Sequence, residues 1–214
     1  MKYSHIIWDF NGTILDDVSI GIKAINILLS KRGLKTIDNV EEYRRIFGFP
    51  IKDYYRRCGF DFSVDNYEDV LAPEWVREYE RLEKNARMCY GVLHALKLFS
   101  ESAIKQSILS ASLIDMLTSQ IERLEINNYF YKIVGCDNFF AYGKTQLCVD
   151  FVRENHSDSL LLVGDSTHDY EVAKAAGIDC VLICQGHMSR QTLEQCGCPV
   201  FDNALEFSEY ILNY

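Results

Sequence analysis

The sequence predicts an α/β protein with a parallel sheet covered by helices, on three observations. Short apolar runs ending in turn residues recur at roughly 20–30-residue spacing through residues 89–214. Helical patterns fill the gaps between them, as parallel strands joined by right-handed crossovers require. A helical stretch of about 70 residues separates the first apolar run from the rest. The expected architecture is a Rossmann-like parallel sheet core, residues 1–15 and 89–214, with an inserted all-helical cap domain at 16–88 after the first strand.

The elements follow in order. "HIIW" (5–8) is apolar throughout, as a strand covered on both faces should be. In "DDVSIGIKAINILLSKRG", Val18, Ile22, Ile25, Leu28 and Leu29 recur at helical spacing up to Gly33. "VEEYRRIFGFP" reads as a helix stopped by Gly48 and Pro50, and "PEWVREYERLEKNAR" as one opening on Pro73. Beyond residue 89 the helices are expected at 91–100, 113–123, 144–155, 168–176 and 203–213. The strands between them are "IKQSILS" (104–110), "YKIVGCD", "SLLLVGD", "CVLIC" and "PVFD".

Composition narrows the function. The chain has 214 residues, 48% hydrophobic and 25% charged, which suits a folded soluble protein rather than a disordered one. A net charge of −9 argues against nucleic-acid or anionic-membrane binding. An anionic substrate would need positive charge supplied locally. No apolar run approaches the ~20 residues of a membrane span, and the N-terminal run is too short for a signal peptide, so the expected location is cytoplasmic. The eight cysteines form no C-x-x-C pair, and Cys196-Gly197-Cys198 reads as two reduced thiols near a turn.

Two apolar strands end in carboxylates, Asp9 and Asp165, and Asp169 follows at the opening of a helix. Ligands of open α/β sheets bind beyond the carboxyl ends of strands. Three converging carboxylates repel unless a cation sits among them, and oxygen ligands suit Mg²⁺ better than zinc. Taken singly, Asp169 could be only an N-cap and Asp9 only a turn acceptor. Ser110 closes the "SILS" strand and could hold an anionic oxygen with the N–H that follows, or could simply cap the next helix. Lys144 opens a helix, where the dipole disfavours a lysine without a task. A nucleotide-loop reading of "GKT" fails, because position 138 is Asn rather than Gly.

Four motifs in order carry a resemblance: "WDFNGTILDD", "SILSAS", "YGKTQ" and "LLVGDSTHDYEVAKAAG". The chain resembles the haloacid dehalogenase superfamily, in its phosphoglycolate-phosphatase-like branch with a helical cap. "VLICQGH" and "PVFDNALEF" are similar to that family's closing strand and helix. The resemblance implies a phosphatase acting on a small phosphorylated metabolite, as a monomer or homodimer. Asp9 would be the nucleophile, forming an aspartyl-phosphate. Mg²⁺ would be held by Asp9, the main-chain carbonyl of Asn11, Asp165 and Asp169. Ser110, Ala111 and Lys144 would hold the phosphoryl oxygens, with Gly12 allowing the tight turn and Thr13 bracing it.

The sequence departs from the family at Asn11, where an aspartate usually carries protons. An amide cannot do so, and losing a general acid/base costs ~10²–10⁴ in rate. A slow phosphatase favouring good leaving groups is expected. A phosphomutase is disfavoured further, since sugar hydroxyls must be deprotonated. A second class stays open: a catalytically weakened phosphoryl-binding protein for sensing or partner binding. In the cap, "RRIFGFPIKDYYRR" offers Arg44, Arg45, Lys52, Arg56 and Arg57 to an anionic substrate, against the plainer reading of solvated helix faces. His168 reads as a helix-start residue.

Overall fold

A computed structural model describes residues 2–137, 143–156 and 158–213. The chain runs β1 (His5–Trp8), β2 (Leu15–Asp16), α1 (Val18–Lys31), α2 (Val40–Ile46), α3 (Ile51–Arg57), α4 (Ala72–Leu82) and β3 (Arg87–Met88). It continues α5 (Val92–Glu101), β4 (Lys105–Leu113), α6 (Ile114–Arg123), β5 (Lys132–Cys136), α7 (Lys144–Glu154) and β6 (Leu160–Gly164). It closes with α8 (Thr167–Ala176), β7 (Asp179–Ile183), α9 (Arg190–Glu194), β8 (Val200–Phe201) and α10 (Ala204–Asn213). Six strands form one parallel sheet in the order β5-β4-β1-β6-β7-β8.

The order reverses direction at β1, which sits between β4 and β6. The crevice beyond its carboxyl end is therefore where a ligand has room to bind. β1 and β6 are buried at every position, as their apolar runs require. Successive side chains of β1 serve opposite faces of the sheet. Ile6 and Trp8 pack in one apolar cluster with α5 and α10, and Ile7 in another with α7 and α8.

The stretch from 18 to 85 is helical, with a third apolar cluster built around Ile25, Leu28, Tyr54, Tyr55 and Tyr67. Its base is a two-stranded antiparallel ribbon pairing Leu15 with Met88 and Asp16 with Arg87. The ribbon lies at the edges of the stretch expected to be wholly helical. It forms because the outgoing and returning chains run side by side there, and two residues are too few for an alternating pattern to register. β4 also runs three residues past Ser110, with a register shift against β5 between Leu109 and Leu113. Such an irregularity re-aims the side chains at a sheet's rim.

The largest fully buried side chain, Trp8, ties the sheet to its covering helices. Its indole N–H donates to Gln106 Oε1 (3.1 Å), and Gln106 Nε2 donates to the Leu96 carbonyl (2.9 Å). Trp8→Ala should cost about 3–5 kcal/mol of stability, through lost apolar burial and an orphaned Gln106 oxygen. Urea unfolding followed by circular dichroism measures it.

Candidate active site

Beyond Trp8 the chain turns sharply. The Phe10 carbonyl accepts from the N–H groups of Ile14 (2.8 Å), Leu15 (2.9 Å) and Thr13 (3.3 Å). Gly12 holds φ +74°, and a Cβ there would meet Asp165 Oδ2 at 2.3 Å. Only glycine fits this turn. The turn buries Asp9, whose N–H donates to the Val163 carbonyl (2.8 Å), and Thr13, whose hydroxyl reaches Asp9 Oδ2 (3.3 Å).

Asp9, Asp165 and Asp169 are each at least 93% buried, and each offers a carboxylate oxygen within 4.8 Å of the other two. The Lys144 ammonium donates to Asp9 Oδ1 and to Asp169 Oδ1 (2.5 Å for the latter). Asp169 Oδ2 accepts from the Ser166 hydroxyl (2.6 Å) and main-chain N–H (3.1 Å), in a capping box that opens α8. Asp169 is thus both N-cap partner and anchor for Lys144. Ser110 and Ala111 line the same cavity, with Ser110 Oγ accepting from the Ser112 N–H (3.1 Å) rather than capping α6. Within the "YGKTQ" motif, Tyr142 lies outside the described residues, as does Asn138.

Asn11 has three side-chain partners. Its Nδ2 donates to Asp17 Oδ2 (2.8 Å) and to the Tyr79 hydroxyl (2.8 Å), and its Oδ1 accepts from the Ser112 hydroxyl (2.7 Å). Asp17 also accepts from Tyr79 (2.6 Å) and from the Gly12 N–H (2.9 Å), and faces His187 Nε2 at 3.2 Å. His187 Nδ1 meets the Tyr43 hydroxyl at 2.7 Å, and the His187 N–H donates to Asp165 Oδ2 (2.6 Å). Sequence reasoning missed Asp17, Tyr43, Tyr79, Ser112 and His187 as site residues. Asp17, Ser112 and His187 lie inside quoted motifs, so proximity to the named residues of those motifs was the available signal.

The electrostatics follow from burial. Burial pushes Asp9 and Asp165 up, the latter reinforced by its acidic neighbours, despite Lys144 beside one and His187 beside the other. Burial also opposes the charge on Asp169 and Asp17. Lys144 outweighs it at Asp169, and His187 with three hydrogen-bond donors outweighs it at Asp17, so both are held below the usual carboxylate range. Burial would lower His187, yet Asp17 and Asp165 raise it to about 9. With all four carboxylates ionised, as a bound cation would require, they face two cations among the described residues, Lys144 and His187. The deficit is two positive charges, and the oxygen donors at hand suit a hard divalent ion such as Mg²⁺.

The other expected residues are spread differently. His168 stacks on Phe49 (centroids 4.6 Å apart) in the cavity wall, more than a helix-start residue does. Arg44 donates to the carbonyls of Gln185 and Gly186, and Arg57 to those of Ile46 and Gly48. Lys52 pairs with Glu68 and Arg56 with Asp53, while Arg45 is exposed. None of the five lines the cavity among the described residues. All eight cysteines are free. No helix among the described residues is long and apolar enough to cross a membrane.

A family model described as haloacid dehalogenase-like hydrolase matches residues 6–183. A phosphoglycolate phosphatase of Pseudomonas fluorescens is 26% identical over 208 residues, covering 92% of this chain and 76% of that protein. Another, from Mesorhizobium japonicum, is 26% identical over 196 residues, covering 88% and 86%. A haloacid dehalogenase-like hydrolase structure from Streptococcus pneumoniae has the same fold, with a TM-score of 0.81 at 19% identity over 98% of this chain and 99% of that one.

Two predictions follow from this geometry. Asn11→Asp should destabilise by about 1–3 kcal/mol, because it sets a carboxylate oxygen against Asp17 where an N–H now donates. Asp17→Asn in the same chain restores a donor, so the double variant should lose clearly less than the sum of the singles in urea unfolding. In the metal-free protein, Asp9 and Asp165 keep protons that the unfolded chain releases above its carboxylate pKa of 3.8. Their raised values therefore make stability fall as pH climbs from 3.8 through them. A cation replacing those protons offsets the fall. Mg²⁺ should raise the melting temperature more at about pH 8 than at about pH 5, by thermal-shift assay.

Proposed function

The chain belongs to the haloacid dehalogenase-like hydrolase family, and on that footing we propose that it is a Mg²⁺-dependent phosphatase of small phosphorylated substrates. The phosphoglycolate phosphatase relatives support this reading. The observation that carries it is Asp9, a buried carboxylate at the carboxyl end of β1 held by Lys144 among two further aspartates. In this reading residues 16–88 act as a cap over a core of 1–15 and 89–214.

Asp9 Oδ attacks phosphorus, and the bond from phosphorus to the ester oxygen breaks with its electron pair leaving on that oxygen. Water then attacks the phosphorus of the aspartyl-phosphate, releasing phosphate and regenerating Asp9. Lys144, Ser110 and the N–H groups near Ala111 hold the phosphoryl oxygens. Gly12 keeps the turn tight, and Thr13 braces Asp9. Asp9, the Asn11 carbonyl and Asp165 would hold Mg²⁺, with Asp169 fixing Lys144 beside it. The metal, when bound, supplies charge that lets an anionic carboxylate approach an anionic phosphate.

Asn11 cannot protonate the leaving oxygen, so turnover is slow and depends on how well that oxygen departs unaided. With Mg²⁺, 4-nitrophenyl phosphate should be hydrolysed far faster than an alkyl phosphate. The activity should vanish in EDTA and in Asp9→Ala. In folded Asn11→Asp protein the alkyl ester should gain more than the aryl ester; equal gains would overturn the missing-acid argument. The fully bonded Asn11 amide favours one second reading, a phosphoryl-binding protein. Retained Mg²⁺ and orthovanadate binding with no turnover of any phosphate would select it.

A further inference from the structure

The cavity over Asp9 holds about 220 Å³ and has two unlike walls. One is the charged floor of Asp9, Lys144, Asp165 and Asp169. The other comes from the segment between β2 and β3 and is aromatic: Phe47, Phe49, Tyr55, Tyr67 and Trp75, with Val76 beside them. Trp75 stacks on Tyr79 (centroids 4.9 Å apart, planes at 22°), and Phe47 leans on His187 at 5.1 Å. These contacts fix the rings that face the floor.

Among the described residues this far wall carries no arginine or lysine. Four basic side chains near it in sequence are committed elsewhere, and Arg45 and Arg77 are exposed. Arg44 and Arg57 bond main-chain carbonyls, and Lys52 and Arg56 pair with Glu68 and Asp53. A substrate whose organic part bears a carboxylate or a second phosphate would meet rings on this wall rather than a lysine or arginine. Five tyrosines line the cavity, but Tyr43 and Tyr79 already spend their hydroxyls on His187 and Asp17, so a sugar would find fewer open partners than the ring count suggests, and each unpaired group costs binding. An aromatic ring would find ring surfaces to pack against.

The floor selects in the same direction. Asn11, fixed by Asp17, Tyr79 and Ser112, has no proton to give. A leaving oxygen on an aromatic ring departs as a phenolate, carrying its electron pair into the ring and taking a proton from water after release.

We propose that the substrate is an aryl phosphomonoester, its ring held by the aromatic wall and its phosphate by the floor. This rests on the phosphatase reading above and names the substrate class for that site. Two non-hydrolysable probes test it by binding alone. Benzylphosphonate carries a ring, and phosphonoacetate carries a carboxylate. In thermal-shift titrations with Mg²⁺, benzylphosphonate should bind at least ~tenfold tighter, the scale of burying one ring face. Equal affinity, or tighter phosphonoacetate, overturns the proposal. Val76→Lys, on the partly exposed side of α4, adds a cation to the wall. It should shrink or reverse the ratio, and an unmoved ratio also overturns the proposal. Failure to hydrolyse any phosphomonoester, or the more reactive acyl phosphate acetyl phosphate, would sink the phosphatase reading instead, and the binding ratio would still decide the substrate class.

Discussion

The site is organised around a charge imbalance. Asp9, Asp17, Asp165 and Asp169 are buried together, and among the described residues only Lys144 and His187 stand against them. Removing carboxylates from water is expensive, and each must recover the loss through a partner. The architecture supplies these one at a time. α7 delivers Lys144 to two of the four, α8 opens on a capping box that fixes Asp169, and the loop after β7 brings His187 to Asp17 and Asp165. Parallel strands put the ends of β1 and β6 side by side, so carboxylates placed there cannot avoid one another. The remaining formal negative charge keeps the cluster from being a self-contained salt bridge.

The same imbalance accounts for Asn11. An aspartate there would make a fifth carboxylate in contact with Asp17. The amide instead donates to Asp17 and Tyr79 and accepts from the Ser112 hydroxyl. The surroundings complement an amide at each of its bonds. Position 11 and position 17 therefore form one hydrogen-bonded unit.

Much of this was legible in the sequence, for definite reasons. β1 and β6 announced themselves because both faces are covered, and a carboxylate at the end of an otherwise apolar strand needs explaining. The positions of Asp9, Asp165, Asp169 and Lys144 followed from that. Asp17, Tyr79 and His187 did not. Asp17 and His187 are 170 residues apart, and no local pattern records that they meet. The two-residue ribbon of β2 and β3 was likewise too short to show period 2. The basic run at 44–57 suggested cations for a substrate, but composition cannot tell a lysine aimed at a ligand from one aimed at Glu68. Loop carbonyls at Gln185 and Gly186 had an equal claim on Arg44.

That grip of Arg44 has a mechanical consequence. α2 holds the 185–187 loop at two points, through Arg44 on its carbonyls and Tyr43 on the His187 ring. The main chain of the same loop holds Asp165. Anything that lifts α2 away from the sheet pulls on a carboxylate at the other end of this linkage. α2 and Asp165 are thereby geared together through one short loop, so a shift at either end is felt at the other.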